Sequence, residues 1–313
     1  MVPETQLRTF GVDLVTTFRE VDRRTGVLMK GPLGWGEFSP FPGYGPEETM
    51  WWYRAAIEAA TQPWPEPVRE KVPVNAIVPA VGPEAAHALV RASGCSTVKV
   101  KVGDRGSRER VAAVRDALGP AGHIRIDVNG AWDVATATKE IRELARFDLE
   151  YVEQPVETLV ELAELRLQVD VPLAADESIR RAPDPFHLEG IGDACDLAIL
   201  KVQPLGGVRR ALAIAEAIGL PPVVSSAVET SVGLSAGLAL AAALPELGGA
   251  CGLGTAALLA ADVTDEPLLP EGGWLGVRRV TPDEAKLEEV AAGEEERDII
   301  MARFRAAEGW AHR

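Results

Sequence analysis

The chain has 313 residues, 47% of them hydrophobic, enough to bury one large α/β domain and a smaller companion. With 32 basic against 47 acidic residues the net charge is −15, which argues against a nucleic-acid or anionic-membrane partner and requires any anionic substrate to meet locally concentrated positive charge. The cysteines, Cys95, Cys195 and Cys251, lie far apart in apolar surroundings, so a reducing cytoplasm is expected rather than a disulfide framework or zinc knuckle. No signal-like leader and no run of about eighteen apolar residues points to secretion or membrane insertion.

The N-terminal stretch "GPLGWGEFSPFPGYGPEE" (31–48) is rich in Gly, Pro and aromatics and reads as a loop ahead of a helix beginning near Glu47. It is either a plain connection from a hairpin or an aromatic lid, Trp35 to Tyr44, over a pocket. From residue 73 onward, short β-branched runs alternate with amphipathic stretches such as "SRERVAAVRDALG" and "ATATKEIRELARF", the pattern of strand–helix units and a parallel sheet. Eight strands are expected: "VNAIV" (74–78), "TVKVKV" (97–102), "IRIDVN" (124–129), "LEYVEQ" (149–154), "PLAADE" (172–177), "DLAILKV" (196–202), "PPVVSS" (221–226) and a weaker "ACGLGT" (250–255). Eight units in series, each of about twenty to thirty residues, suggest a closed barrel, and no G-x-G-x-x-G follows the first strand. The tail, "LPEGGWLGV" and the charged segment after it, is expected to pack back on the N-terminal region, with "GEEER" as a solvated helix face.

Functional groups of a parallel barrel come from the C-terminal ends of its strands, and charged residues gather there. Strand two carries Lys99 and Lys101, strand three Asp127 and Asn129, strand four Glu153, strand five Asp176 and Glu177, strand six Lys201. Any one of these has an ordinary reading: "DES" at 176–178 is a common helix N-cap, and a lysine at a strand end is usually solvated. The ordered series Lys, Asp, Glu, Asp, Lys is not what chance capping produces. Asp127, Glu153 and Asp176 could converge on a hard divalent cation, magnesium first. Lys99 and Lys101, two apart on one strand face, are expected to disfavour each other's protonation, so that one of them can act as a base. Lys201, four strands around, would face Lys101 across the metal. Such apparatus suits removal of a proton α to a carboxylate, because ammonium groups and a divalent cation stabilise the enediolate.

The motifs "GWGEFSPFPGYGPEE", "KVK", "RIDVNGAW", "YVEQP", "AADES", "KVQPLGG", "VVSSAVETSVG" and "CGLGT", in this order along nearly the whole chain, resemble the enolase superfamily, in its muconate-lactonizing-enzyme subgroup. The resemblance is strongest to the branch that forms 2-succinylbenzoate. It implies an α/β fold, a modified (β/α)7β barrel of TIM type (73–262), with an α+β capping domain built from residues 1–72 and a returning C-terminal segment, 263–313. It implies Mg²⁺, with Mn²⁺ as a substitute, on Asp127, Glu153 and Asp176, with Lys101 as acid/base, Lys201 as the opposing lysine and Lys99 tuning Lys101. The reaction implied is dehydration of 2-succinyl-6-hydroxy-2,4-cyclohexadiene-1-carboxylate to 2-succinylbenzoate, a step of menaquinone biosynthesis, on a small dicarboxylate substrate.

Arg125 and Asn129 share the strand face of Asp127 and are candidate substrate contacts, although an arginine there could equally be a structural ion-pair partner. Ser225, Gly252 and Gly254 match family positions around the substrate, and glycine there is also explained by tight strand–loop packing. Cys251 departs from the family, whose members often have histidine before "GLGT". The same two lysines would serve racemisation of an N-succinyl- or N-acyl-amino acid; cycloisomerisation of a muconate and a noncatalytic metal-binding barrel are more distant readings. Helix faces that bury against a barrel look like faces that form dimers, so oligomeric state is not legible here.

Overall fold

The computed structural model describes residues 2–18 and 20–313. In chain order its strands are β1 (Leu7–Phe18), β2 (Val21–Gly31), β3 (Gly34–Phe38), β4 (Lys71–Pro73), β5 (Ala76–Val78), β6 (Thr97–Lys101), β7 (His123–Asp127), β8 (Leu149–Glu153), β9 (Leu173–Ala175), β10 (Leu197–Lys201), β11 (Pro222–Ser225) and β12 (Trp274–Gly276). Strands β1–β3 form an antiparallel sheet, β5 to β11 a seven-stranded parallel sheet in sequential order, and β4 pairs with β12.

Period-two alternation decides what each parallel strand sends inward. In β6, Val98 and Val100 are fully buried in the apolar core, while Lys99 and Lys101 take the other face. Strand β7 repeats this with Ile124 and Ile126 against Arg125 and Asp127, and β8 with Val152 against Tyr151 and Glu153. Beneath the charged ends, Tyr151, Ala174, Ile199 and Val223 pack into a small apolar floor. The barrel mouth is therefore polar over a dry layer, the arrangement that places reacting groups at strand ends.

The expected eighth strand is reduced to a bridge. Val74 pairs with Cys251 and Ser225 with Gly252, so one dipeptide touches both edges of the seven-stranded sheet and closes it. The bonds are Cys251 N to Pro73 O (2.7 Å), Asn75 N to Cys251 O (2.9 Å) and Gly252 N to Val224 O (2.7 Å). Gly254 then opens a 3-10 turn, Gly254–Leu258, which stops any longer strand.

The reading of residues 31–48 as a loop is corrected. Gly34–Phe38 is a strand paired to β2, and only the segment 39–45 lacks regular structure before the helix Pro46–Thr61. The glycines that suggested a loop are packing sites: a Cβ on Gly36 would lie 2.0 Å from the Ala56 carbonyl oxygen, and one on Gly31 2.4 Å from that of Ala60. The sheet can sit on the helix backbone only where there is no side chain. The C-terminal helix Glu294–Ala311 packs on the same unit through Phe304, whose ring is 5.3 Å from Phe38 and 5.4 Å from Tyr53.

Two buried charges join this N-terminal sheet to the barrel. Arg24 donates to the Val228, Ala227 and Ser39 carbonyls. Glu37 accepts from Ser39 Oγ (2.6 Å), Thr230 Oγ1 (2.5 Å), Thr230 N (3.2 Å) and Gly233 N (3.0 Å), so it caps the helix Ser231–Ala243 from across the interface. Burial pushes the Glu37 carboxyl up to about 7 from 4.5, against the lowering effect of its Ser39 and Thr230 bonds. A carboxyl whose folded pKa lies above its unfolded value contributes stability at low pH that is lost as pH rises through the folded value. The urea midpoint of the parent is therefore expected to fall more between pH 5 and pH 8 than that of Glu37→Gln; equal falls would show that Glu37 does not titrate in this window.

Candidate active site

Lys99 starts one register level below the mouth, opposite Arg125, and its ammonium reaches up to Asp127 Oδ2 (3.1 Å) and Glu153 Oε1 and Oε2 (2.9 and 3.2 Å). Burial alone would lower its pKa, but Asp127 and Glu153 outweigh that and raise it well above the ordinary lysine range. The expectation that Lys99 and Lys101 disfavour each other's protonation is corrected for Lys99: it stays charged because two carboxylates surround it. Its work is to neutralise them.

Lys101, half-buried at the end of β6, lies beside Asp127 in register and donates to Asn129 Oδ1. Asn129 stands in the left-handed region at φ +52°, donates its backbone N–H to Asp127 Oδ1 (3.1 Å) and its amide Nδ2 to Glu177 Oε1 (3.2 Å). Lys201, on β10, donates to Asp176 Oδ2 at 2.5 Å, and Arg180 Nε to Asp176 Oδ1 at 3.0 Å. The N-cap reading of Asp176 thus fails: it starts the short helix Glu177–Arg180 without a side-chain capping bond, its oxygens being taken by Lys201 and Arg180.

The electrostatics place the groups in one cluster. Burial works to raise the Asp127 carboxyl, but Lys99, Lys101 and Lys201 hold it below its ordinary value. Glu153 is pushed up by burial, with Asp127 and Asp176 adding to the rise against the pull of Lys99 and Lys201. Among the described residues no three His, Cys, Asp or Glu side chains are already gathered around an ion-sized point. Lysine and arginine engage the carboxylate oxygens instead: Lys99 those of Asp127 and Glu153, Lys201 and Arg180 those of Asp176. The donor set nevertheless suits a hard divalent cation, being all carboxylate and carried on the neighbouring strands β7 and β8 and the turn after β9.

Arg125 takes the structural alternative. It is fully buried, with Nε on Glu150 Oε2 (2.6 Å), Nη1 on Asn75 Oδ1 (3.2 Å) and on the Ala250 carbonyl, and its guanidinium 4.7 Å from the centroid of Tyr151. Those partners lie at the floor, so Arg125 ties the barrel closure together beneath the site. Ser225 ends β11 next to Lys201 in register, and a Cβ on Gly252 would fall 2.5 Å from its Oγ. A Cβ on Gly254 would lie 2.7 Å from the Asn75 carbonyl oxygen, so close packing accounts for this glycine. Cys251 is buried in the closing dipeptide and burial pushes its thiol up to about 11.

Three residues were missed in the sequence. Gln154, at φ +38°, accepts from the Asp176 and Ser178 backbone N–H groups (2.9 and 3.1 Å) and so shapes the turn that presents Asp176. Arg24 holds the loop after β11, where the β-branched Val228 sits at φ +58°. Arg180 follows Asp176 by four, a spacing that brings side chains together on a helix and was its only available signal.

The family model described as "Enolase C-terminal domain-like" matches residues 83–283, and "Enolase N-terminal domain-like" matches residues 9–60. Among solved structures, muconate lactonizing enzyme from Pseudomonas fluorescens superposes with a TM-score of 0.78 at 23% identity, covering 91% of this chain and 98% of that one. N-succinyl Arg/Lys racemase from Bacillus cereus superposes with a TM-score of 0.76 at 22% identity, covering 92% and 97%. At those identities the likeness is one of fold. The chain belongs to the enolase superfamily.

Within that superfamily, o-succinylbenzoate synthase of Thermobifida fusca is 60% identical over 305 residues, 96% of each chain. The enzyme of the same name from Mycolicibacterium smegmatis is 47% identical over 299 residues, 93% of this chain and 92% of that one.

Lys99→Met would leave Asp127 and Glu153 buried without the cation that touches both. It is expected to cost about 3–5 kcal/mol in metal-free urea unfolding, whereas a loss below about 1 kcal/mol would mean that Lys99 is not what balances them.

Proposed function

We propose that this chain is an o-succinylbenzoate synthase, a lyase that dehydrates 2-succinyl-6-hydroxy-2,4-cyclohexadiene-1-carboxylate to 2-succinylbenzoate in menaquinone biosynthesis. The observation that carries the reading is the pair Lys101 and Lys201, four strands apart across a buried carboxylate cluster, in a chain 60% identical to a synthase over its length.

Lys101 acts as the base. Its Nζ takes the α-proton at C1 and the C–H electron pair passes into the substrate carboxylate as an enediolate; that pair then returns to form the C1=C6 double bond as the C6–O bond breaks, and the ammonium gives its proton to the departing hydroxyl, which leaves as water. Asn129 holds Nζ in place through Oδ1. Lys201 stabilises the enediolate from the opposite side, a role open to it when its bond to Asp176 Oδ2 is released. Asp127, Glu153 and Asp176 would hold Mg²⁺, or Mn²⁺ in its place, which supplies Lewis-acid stabilisation of the substrate carboxylate. Ser225 and the Gly252 backbone border the same mouth and would meet the substrate there. The dianionic substrate finds in these lysines the positive charge that the acidic surface lacks.

Among the described residues no helix is long and apolar enough to cross a membrane. Cys95, Cys195 and Cys251 are buried free thiols, in keeping with a cytoplasmic site of action.

The opposed lysines would also serve an N-succinylamino acid racemase, the activity for which the structural neighbour from Bacillus cereus is named. Purified protein with Mg²⁺ is expected to consume the diene by ultraviolet absorbance, and Lys101→Ala to lose that turnover by at least about 10³-fold with its melting temperature nearly unchanged. Optical change of N-succinylamino acids without diene consumption would replace the synthase reading by the racemase one.

A further inference from the structure

The segment 39–45 and the catalytic lysines are joined by a continuous set of polar contacts, and Arg180 is its hub. The Arg180 side chain is 3% exposed and all three nitrogens have partners: Nε on Asp176 Oδ1 (3.0 Å), Nη2 on Glu177 Oε1 (2.6 Å) and Nη1 on the Tyr44 hydroxyl. From Glu177 the contacts continue through the Asn129 amide to Lys101 Nζ, and from Asp176 they continue directly to Lys201 Nζ. One guanidinium therefore joins a residue of the N-terminal unit to both lysines, along separate branches.

The segment that carries Tyr44 is fixed at its base and open at its tip. Arg303 donates to the Pro40 and Phe41 carbonyls (3.2 and 2.9 Å), and Arg24 lies 4.0 Å from the centroid of the Phe41 ring. Pro42 and Gly43 are exposed, with Gly43 in the left-handed region at φ +86°. Beyond them Tyr44 packs on Trp52 at 5.2 Å and reaches Arg180 with its hydroxyl. A cavity of about 380 Å³, bordered by Val21, Phe41, Tyr44 and Arg181, opens beside this contact. A guanidinium is suited to the hub because its planar fork holds several oxygens in fixed directions, which an ammonium does not.

We propose that Arg180 is a positioning residue that couples seating of the Tyr44 segment to alignment of Lys101 and Lys201. When Tyr44 is seated, the Arg180 fork is fixed, Glu177 and Asn129 hold the base, and Asp176 is held for Lys201. When Tyr44 is displaced, Arg180 loses one of its anchors and both branches loosen together. The proposal rests on the reading of Lys101 as the base of a synthase, and it predicts that this aromatic segment outside the barrel affects the rate and not binding alone.

The test is a double-mutant cycle with Tyr44→Phe and Arg180→Lys, each conserving most of the side-chain volume, followed by diene turnover and by amide hydrogen exchange of residues 41–45 without substrate. Tyr44→Phe is expected to lower kcat about tenfold with KM changed less than about threefold, the split that separates alignment from substrate binding. Arg180→Lys should lower kcat further, and the double variant should match Arg180→Lys alone, because the Tyr44 hydroxyl acts through Arg180. Exchange at residues 41–45 should speed up in both single variants alike. Additive losses, an effect on KM alone, or exchange unchanged from the parent would each overturn the coupling. A parent protein that exchanges as expected but does not consume the diene would sink the synthase reading and leave the Tyr44–Arg180 contact standing.

Discussion

Charges buried at the mouth of a barrel must neutralise one another, and this constraint organises the molecule. Desolvating a lone carboxylate or ammonium costs several kcal/mol, so none of Asp127, Glu153, Asp176, Lys99 or Lys201 could occupy its place alone. Lys99 answers Asp127 and Glu153, while Lys201 and Arg180 answer Asp176. The apolar floor of Tyr151, Ala174, Ile199 and Val223 keeps the cluster from solvent below and makes each charge count for more. On the proposed reading, a divalent cation held by Asp127, Glu153 and Asp176 would supply part of the positive charge that the lysines and Arg180 supply here.

The parts outside the barrel serve this mouth. The N-terminal sheet contributes Glu37, which caps a barrel helix, and Arg24, which holds the loop carrying Val228 in a conformation its side chain disfavours. Both interactions cross between units, so the barrel loop after Ser225 takes its shape partly from residues more than 190 positions away. The barrel is closed by two residues, Cys251 and Gly252, instead of a full strand, and Arg125 braces that closure from inside. The Arg125–Glu150 ion pair lies beneath the lysines and carboxylates of the mouth.

Most of the parallel strands and the order of charged groups were legible because alternation is a local property: Val98 and Val100 in one direction and Lys99 and Lys101 in the other need no tertiary information. What depended on neighbours was not legible. The glycines at 31 and 36 looked like loop punctuation because the helix backbone they admit lies about twenty residues or more away in sequence. The charge state of Lys99 was misjudged because two apart on a strand says which face a lysine takes and nothing of how high its Nζ climbs; the carboxylates it meets come from the next two strands. Arg125 shared the face of Asp127 but turned towards the floor, and Arg180 gave no sign beyond a helical interval.

The proposed function makes Asp127, Glu153 and Asp176 a specific divalent-cation site. Thermal unfolding of the parent and of Asp176→Asn across a Mg²⁺ titration at constant ionic strength tests it most directly, since a ligand that binds only the folded state raises the midpoint with its concentration. A saturable rise in the parent that is lost in Asp176→Asn is the predicted result. Equal rises in the two proteins, or no rise in the parent, would contradict it.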